Sequence, residues 1–224
     1  MACAVRKSAL FGLLDPAALE GIHWRIADLH FSEGQPLFQL SDKGQAAYTV
    51  REGVVRLERV GEHGERRIVR LAGRGDLIGM EALLGQTYAT TAVACTPVKV
   101  CRLPRELVDD LALKDAKLQR GLMRRWQTAL DDADEWITEL LTGSARWRML
   151  RLLLKLSEYA DAQGRIWLPT RQEMGAMLAM TVETASRTVS AFKREGLMTA
   201  DGMRHAVLDM DQLMSELRLS AQLP

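Results

Sequence analysis

Thr170-Arg171-Gln172-Glu173, followed after seven intervening residues by Thr181-Val182-Glu183-Thr184-Ala185-Ser186-Arg187, is the stretch on which the reading of this chain turns. The first tetrad has the pattern of a capping box, in which a Thr hydroxyl and a Glu carboxylate satisfy the first free amides of a helix. The helix it opens, Met174 to Leu178, carries the small Gly175 where a second helix has to approach closely. Ala179-Met180 turns the chain, and Thr181 caps a second helix that runs from Val182 to Glu195. On that helix Ala185, Val189 and Phe192 share an inward face, while Glu183, Ser186, Arg187 and Ser190 point outward. Gly196 ends it, and Asp201-Gly202 between Leu197 to Ala200 and Met203 to Leu208 signals a short hairpin. An amphipathic helix from Arg146 to Tyr159, with Met149, Leu152, Leu153 and Leu156 on one face, precedes the motif. Two short helices joined by a tight turn and followed by a hairpin make a winged helix-turn-helix.

The chemistry of the second helix suits a major groove. Arginine bonds bidentately to guanine O6 and N7, and glutamate accepts from cytosine N4. Glu183 and Arg187 are four apart and project together, so they can read one G·C pair or adjacent pairs. The plain alternative for such a pair is a solvated i,i+4 salt bridge, worth about 0.3–0.5 kcal/mol.

Working outward, residues from about Phe31 to Leu103 read as short strands separated by glycine-bearing turns, such as Val54 to Val60 and Arg67 to Leu71. That pattern predicts a compact antiparallel barrel or jelly roll. Asp15-Pro16 opens a short helix ahead of it. After Pro104 the period lengthens: Leu118, Leu122, Trp126, Ala129 or Leu130, Ala133, Ile137 and Leu140 or Leu141 recur every three or four residues. A stripe this long has to be buried, either on the chain's own barrel or in a parallel two-helix seam with a second copy. Gly143-Ser144 breaks the helix and is the expected hinge. The expected fold class is therefore α+β, with a barrel over 1–104, a long helix over 105–142 and the helix-turn-helix over 143–224.

Composition narrows the partners. With 30 Lys+Arg against 29 Asp+Glu, the net charge of +1 excludes both a globally basic coat and an acidic solvating chain. The charge is nevertheless uneven, since residues 143–196 hold 9 basic and 5 acidic residues while 1–142 hold 19 and 20. No apolar run approaches the roughly 20 residues that span a bilayer, which predicts no membrane partner and a cytoplasmic protein. Three cysteines cannot build a disulfide framework. An enzyme with a cupin-like metal site would need several histidines in one barrel segment, and His63 stands alone between Phe31 and Leu103, so no metal and no catalytic residue are expected. A protein-only interaction module is the remaining rival.

The two motif segments, with Val-Glu-Thr-x-Ser-Arg at 182–187, resemble the helix-turn-helix signature of the CRP/FNR transcription regulators, in the version of the FNR branch. Arg56 to Leu84, including Gly73-Arg74-Gly75-Asp76-Leu77-Ile78-Gly79, resembles the end of that family's cyclic-nucleotide-binding-like effector barrel, and residues 106–141 resemble its dimerisation helix. The resemblance implies a homodimer that binds double-stranded DNA and recruits or blocks RNA polymerase. It implies that Glu183 and Arg187 contact a G·C pair, that Val182 and Ser186 face thymine methyls in an inverted TTGAT-like repeat, and that Thr170, Arg171, Gln172 and Thr181 hold phosphates. Leu118, Leu122, Trp126, Ala129, Leu130, Ala133, Ile137, Leu140 and Leu141 would form the dimer seam.

The family's effector sites are degenerate here. A cyclic nucleotide would be held by a Gly-Glu turn and a later Arg-Ser/Thr-Ala, but the chain reads Gly79-Met80 and Thr90-Thr91-Ala92, without the ribose carboxylate or the phosphate arginine. Burying a cyclic phosphate without a cation is costly, which argues against cyclic AMP. A [4Fe-4S] cluster needs four thiolates, and Cys3, Cys95 and Cys101 are three, which argues against a conventional cluster. Cys95 and Cys101 read most simply as small buried hydrophobes in a strand pair. Haem stays open as a cofactor of a gas or redox sensor, with His23, His30 or the Cys3 thiolate as ligand.

Overall fold

The computed structural model describes residues 23–112 and 115–220. The expectations placed on Asp15-Pro16 and Cys3 lie outside these residues. Strands β1 (Ala27–Phe31), β2 (Pro36–Phe38), β3 (Ala46–Glu52), β4 (Val55–Val60), β5 (Arg66–Ala72), β6 (Leu77–Ile78), β7 (Thr91–Ala94) and β8 (Val98–Pro104) come first. They form two four-stranded sheets among the described residues, ordered β1-β8-β3-β6 and β2-β7-β4-β5. The expected jelly roll is present. Strand β3 shows why it holds together: residues alternate faces along a strand, and both faces of this one are covered. Ala46, Tyr48 and Val50 enter a core with Phe38, Leu57, Tyr88 and Val100, whereas Ala47 enters a second core with Met80, Leu103, Leu107 and Leu118.

The second core is capped by helices, and here the structure corrects the sequence reading. The single helix expected over 106–141 is two, α1 (Arg105–Ala112) and α2 (Ala116–Leu140). Asp115 makes the break, because its Oδ1 accepts the Lys117 N–H at 2.7 Å and its carbonyl accepts the Leu118 N–H at 3.1 Å. This is the local competition through which aspartate prefers a cap to a helix interior.

The stripe on α2 also proves to be two adjacent faces. Leu118 is fully buried, and Leu122 and Ala129 pack beside it against the sandwich. Leu140 is 3% exposed and likewise covered by the chain itself. Leu118 and Leu140 therefore leave the set available to a second copy, while Trp126, Leu130 and Ile137 remain at 36%, 56% and 58% exposure, joined by Met123 at 70%. Ala133 and Leu141 are half-buried.

The chain forms two compact units whose division falls within α2, between Asp132 and Ala133. The helix ends farther on, near Gly143 (φ 81°), after which Ser144 caps α3 (Ala145–Ser157) by accepting the Trp147 N–H. The second unit continues through β9 (Arg165–Trp167), α4 (Arg171–Leu178), α5 (Val182–Arg194), β10 (Met198–Ala200), β11 (His205–Leu208) and α6 (Met210–Ser220). Its interior is fully closed: Met149, Leu152, Leu153, Met174, Met177, Leu178, Ala185, Val189, Phe192 and Leu213 are all at 0% exposure. Lys155 and Arg151 of α3 tie down the last turns of α2 through Glu135 at 3.0 Å and Glu139 at 2.7 Å.

Candidate nucleic-acid interface

Both caps read from the sequence form. Thr170 Oγ1 accepts the Glu173 N–H at 3.2 Å, and Glu173 Oε2 accepts the Thr170 N–H at 2.6 Å. Thr181 Oγ1 accepts the Thr184 N–H at 3.2 Å and starts α5. Between them the chain turns at Ala179, a non-glycine residue at φ 51°. Arg148 of α3 holds this turn by donating to the Leu178 carbonyl and, at 3.2 Å, to that of Ala179. Gly175 is crowded by the turn itself: an added Cβ would lie 2.7 Å from the Met180 carbonyl oxygen. The small residue thus admits the connecting backbone, not the second helix.

Helix α5 packs on α4 and α3 through Ala185, Val189 and Phe192 and leaves the opposite face bare. Val182 is 43% exposed, and Glu183, Ser186, Arg187 and Ser190 are exposed with it. The four residues expected to read bases therefore stand together on the first turns of the helix. Glu183 does not form an ion pair with Arg187 among the described residues. Its carboxylate is held below the usual range by its own backbone N–H and the Thr181 hydroxyl first, and by the nearby Arg187 charge after that. It stays ionised, an acceptor suited to an amino group. Thr170, Gln172 and Thr181 are exposed around it, and Arg171 is half-buried. Arg171 has Nη1 3.5 Å from the Met174 sulfur, and burial lowers its pKa.

The wing is real but differs from its expected form. Strand β11 begins at His205, so residues 201–204 make the turn, closed by the Asp201 N–H on the His205 carbonyl at 2.9 Å. A third strand, β9, pairs with β11 through His205↔Trp167 and Ala206↔Ile166. Three residues are too short a run to show a period, so sequence reasoning missed β9. It also missed α6, although Asp209 ahead of Leu213 and Leu217 is a helix-start signal.

The sandwich offers little to the effectors that the resemblance implies. Gly79 (φ 68°) leads into a 3-10 turn over Met80–Leu84. Met80 packs into the helix-side core, not toward the interior of the sandwich. Beside Gly79 the interior is filled by rings: Phe38 stacks on Tyr88 at 4.0 Å and on Tyr48 at 5.7 Å. Tyr88 donates to the Ala46 carbonyl at 2.8 Å, and burial pushes its pKa up to about 12. Glu81, next to Met80, accepts the Ala89 N–H at 2.9 Å, and Thr91 Oγ1 accepts the Leu40 N–H. Thr90 is half-buried. These residues do not fit a cyclic nucleotide.

The cysteines fare no better as ligands of a cluster. Cys95 is fully buried with Sγ 3.9 Å from Arg56 Nη1, and the same guanidinium pairs through Nε with Glu58 at 2.5 Å. Cys101 is half-buried on β8, and its Sγ lies 3.4 Å from Asp28 Oδ1. No group of three or more His, Cys, Asp or Glu able to hold a metal exists among the described residues. Of the haem ligands considered, His30 is exposed on β1, while Cys3 and the His23 side chain lie outside the described set.

Comparison with known proteins agrees with this division. A cyclic nucleotide-binding domain model matches residues 28–115 and a Crp-like helix-turn-helix domain model matches residues 148–216. The chain is 30% identical over 188 residues to the fumarate and nitrate reduction regulatory protein of Vibrio cholerae, covering 81% of this chain and 75% of that one. It is 31% identical over 182 residues to the transcriptional activator protein FnrA of Stutzerimonas stutzeri, covering 79% and 75%. Among solved structures, a CRP-family transcriptional regulator from Thermus thermophilus is similar at a TM-score of 0.72 and 26% identity, over 85% of this chain and 96% of that chain. FixK2 from Bradyrhizobium japonicum shares the fold at a TM-score of 0.76 and 24% identity, over 86% and 96%.

Proposed function

Because this chain belongs to the CRP/FNR family of transcription regulators, we propose that it works as a homodimer that reads an inverted TTGAT-like repeat and responds to an effector other than cyclic AMP. The observation that carries the reading is the bare face of α5, where Val182, Glu183, Ser186 and Arg187 stand opposite the buried Ala185, Val189 and Phe192. Arg187 donates to guanine and Glu183 accepts from cytosine. Val182 and Ser186 lie against thymine methyls, and Thr170, Arg171, Gln172 and Thr181 fix the register on phosphates. A two-fold dimer then sets half-site centres about 34 Å apart. The bound dimer acts on transcription by recruiting or blocking RNA polymerase in the cytoplasm. No helix among the described residues is long and apolar enough to cross a membrane.

The test is binding of the full chain to a duplex carrying the inverted repeat, beside a scrambled duplex of equal composition, over a salt series. Specific binding predicts tight, salt-dependent association with the repeat and weak association with the scrambled site. Equal affinity for both duplexes overturns the base-reading assignment, and no affinity for either favours a protein-only interaction module.

A further inference from the structure

We propose that Arg204, on the wing turn, is a positioning residue for DNA binding: it pins the wing tip to the N-terminus of α4 so that the cleft between them fits one backbone phosphate. The proposal rests on the DNA-binding reading above. Arg204 is bound to its surroundings through both its side chain and its backbone. Its Nη2 lies 3.1 Å from Glu173 Oε2, its guanidinium sits 5.3 Å above the Trp167 ring, and its carbonyl accepts the Leu168 N–H at 2.8 Å. Glu173 is the residue that closes the capping box on Thr170 and is 5% exposed. One carboxylate therefore starts α4 and holds the wing.

The cleft beside this link is lined by Thr170, Arg171, Lys193, Gly202, Met203 and Arg204. Its walls come from α4, α5 and the wing, which meet here. Glu173 meets the charge of Arg204, so the positive charge left to the cleft is that of Arg171 and Lys193. Arg171 is half-buried and has no carboxylate within ion-pair distance among the described residues. A partly desolvated cation without a counter-ion is unfavourable, and an anion placed in the cleft relieves it. Met203, at the tip, is 96% exposed. A phosphodiester of duplex DNA seated against Thr170 and Arg171 would lie under it.

The experiment compares Arg204→Met, Glu173→Gln and Arg204→Lys in the full chain, reading affinity for the inverted-repeat and scrambled duplexes by fluorescence anisotropy across a salt series. Arg204→Met and Glu173→Gln are expected to weaken both duplexes by the same factor, about tenfold, and to make the plot of log K against log salt shallower by about 0.9 for each phosphate no longer engaged. Arg204→Lys, which keeps a charge for Glu173, should recover most of that affinity. Glu173→Gln retains the capping acceptors and serves where Arg204→Met fails to fold. A role in folding alone would lower the melting temperature and leave the salt slope of the folded protein unchanged, which overturns the proposal. Wild-type slope and affinity in both neutral variants overturn it too, as does a weakening confined to the inverted repeat. If the wild-type chain binds neither duplex, the DNA-binding reading itself has failed.

Discussion

Arg187 is exposed and makes no ion pair among the described residues, so replacing it should leave the fold intact and isolate its proposed role on DNA. Arg187→Ala should weaken binding to the inverted repeat by about 1–3 kcal/mol and leave the scrambled site nearly unchanged, measured by anisotropy at one salt concentration. Glu183 supplies a pH test. Its folded pKa is depressed by its own amide, Thr181 and Arg187, so its acceptor function is complete above the usual carboxylate pKa of about 4.3 and disappears only as pH falls through the lower folded value. Discrimination at the G·C position should therefore stay flat from neutral pH down to mild acid; a fall already near neutrality would mean another group controls it. Ala179 adopts the left-handed conformation at φ 51°, which an L side chain tolerates poorly. Ala179→Gly should raise stability by about 0.5–1 kcal/mol in a urea titration, after allowing for the greater chain entropy of glycine. The caps and the exposed face of α5 were legible at this scale because capping and helical spacing are local. Arg204 was not, because its partner Glu173 lies 31 residues away and no local pattern signals the pair.

At the scale of elements, α2 separates a buried face from an exposed apolar one that the sequence merges. Residues at three- and four-residue spacing fall on one broad stripe, and only the tertiary packing divides it. Leu118 belongs to the face on the sandwich, Trp126 and Leu130 to the open one. Leu118→Ala should cost about 2–5 kcal/mol of stability, read from denaturant unfolding, as deletion of a fully buried side chain does. Leu130→Asp should instead turn a dimer into a monomer in sedimentation while shifting the melting temperature of the subunit little. If Leu130→Asp leaves the dimer intact, the open face is not the seam. The break before α2 is a different case: Asp115 is compatible with a helix by spacing alone, and the bonds that make it a cap, from the Lys117 and Leu118 amides, are local ones that a three- to four-residue apolar period does not register.

Across the whole molecule, fold and surface chemistry were legible to different depths. The sandwich could be read from short strands alternating with glycine turns, and the +1 net charge already pointed away from bulk attraction to DNA. The filling of the sandwich was not legible, since Phe38, Tyr48 and Tyr88 come from separate strands and loops and meet only in three dimensions. With that volume occupied, cyclic AMP at about 1 mM should leave the melting temperature unchanged, whereas a ligand present at about 100 times its Kd would add about 2.7 kcal/mol. A clear upward shift would show that the rings move aside. The same stack, with Met80 turned into the other core, leaves two separate regions that a nucleotide site would have to change at once. Met80→Glu would bury a carboxylate in the core that holds Leu103 and Leu107 and should destabilise the fold. A nucleotide site would therefore require the ring stack and the Met80 core to rearrange together.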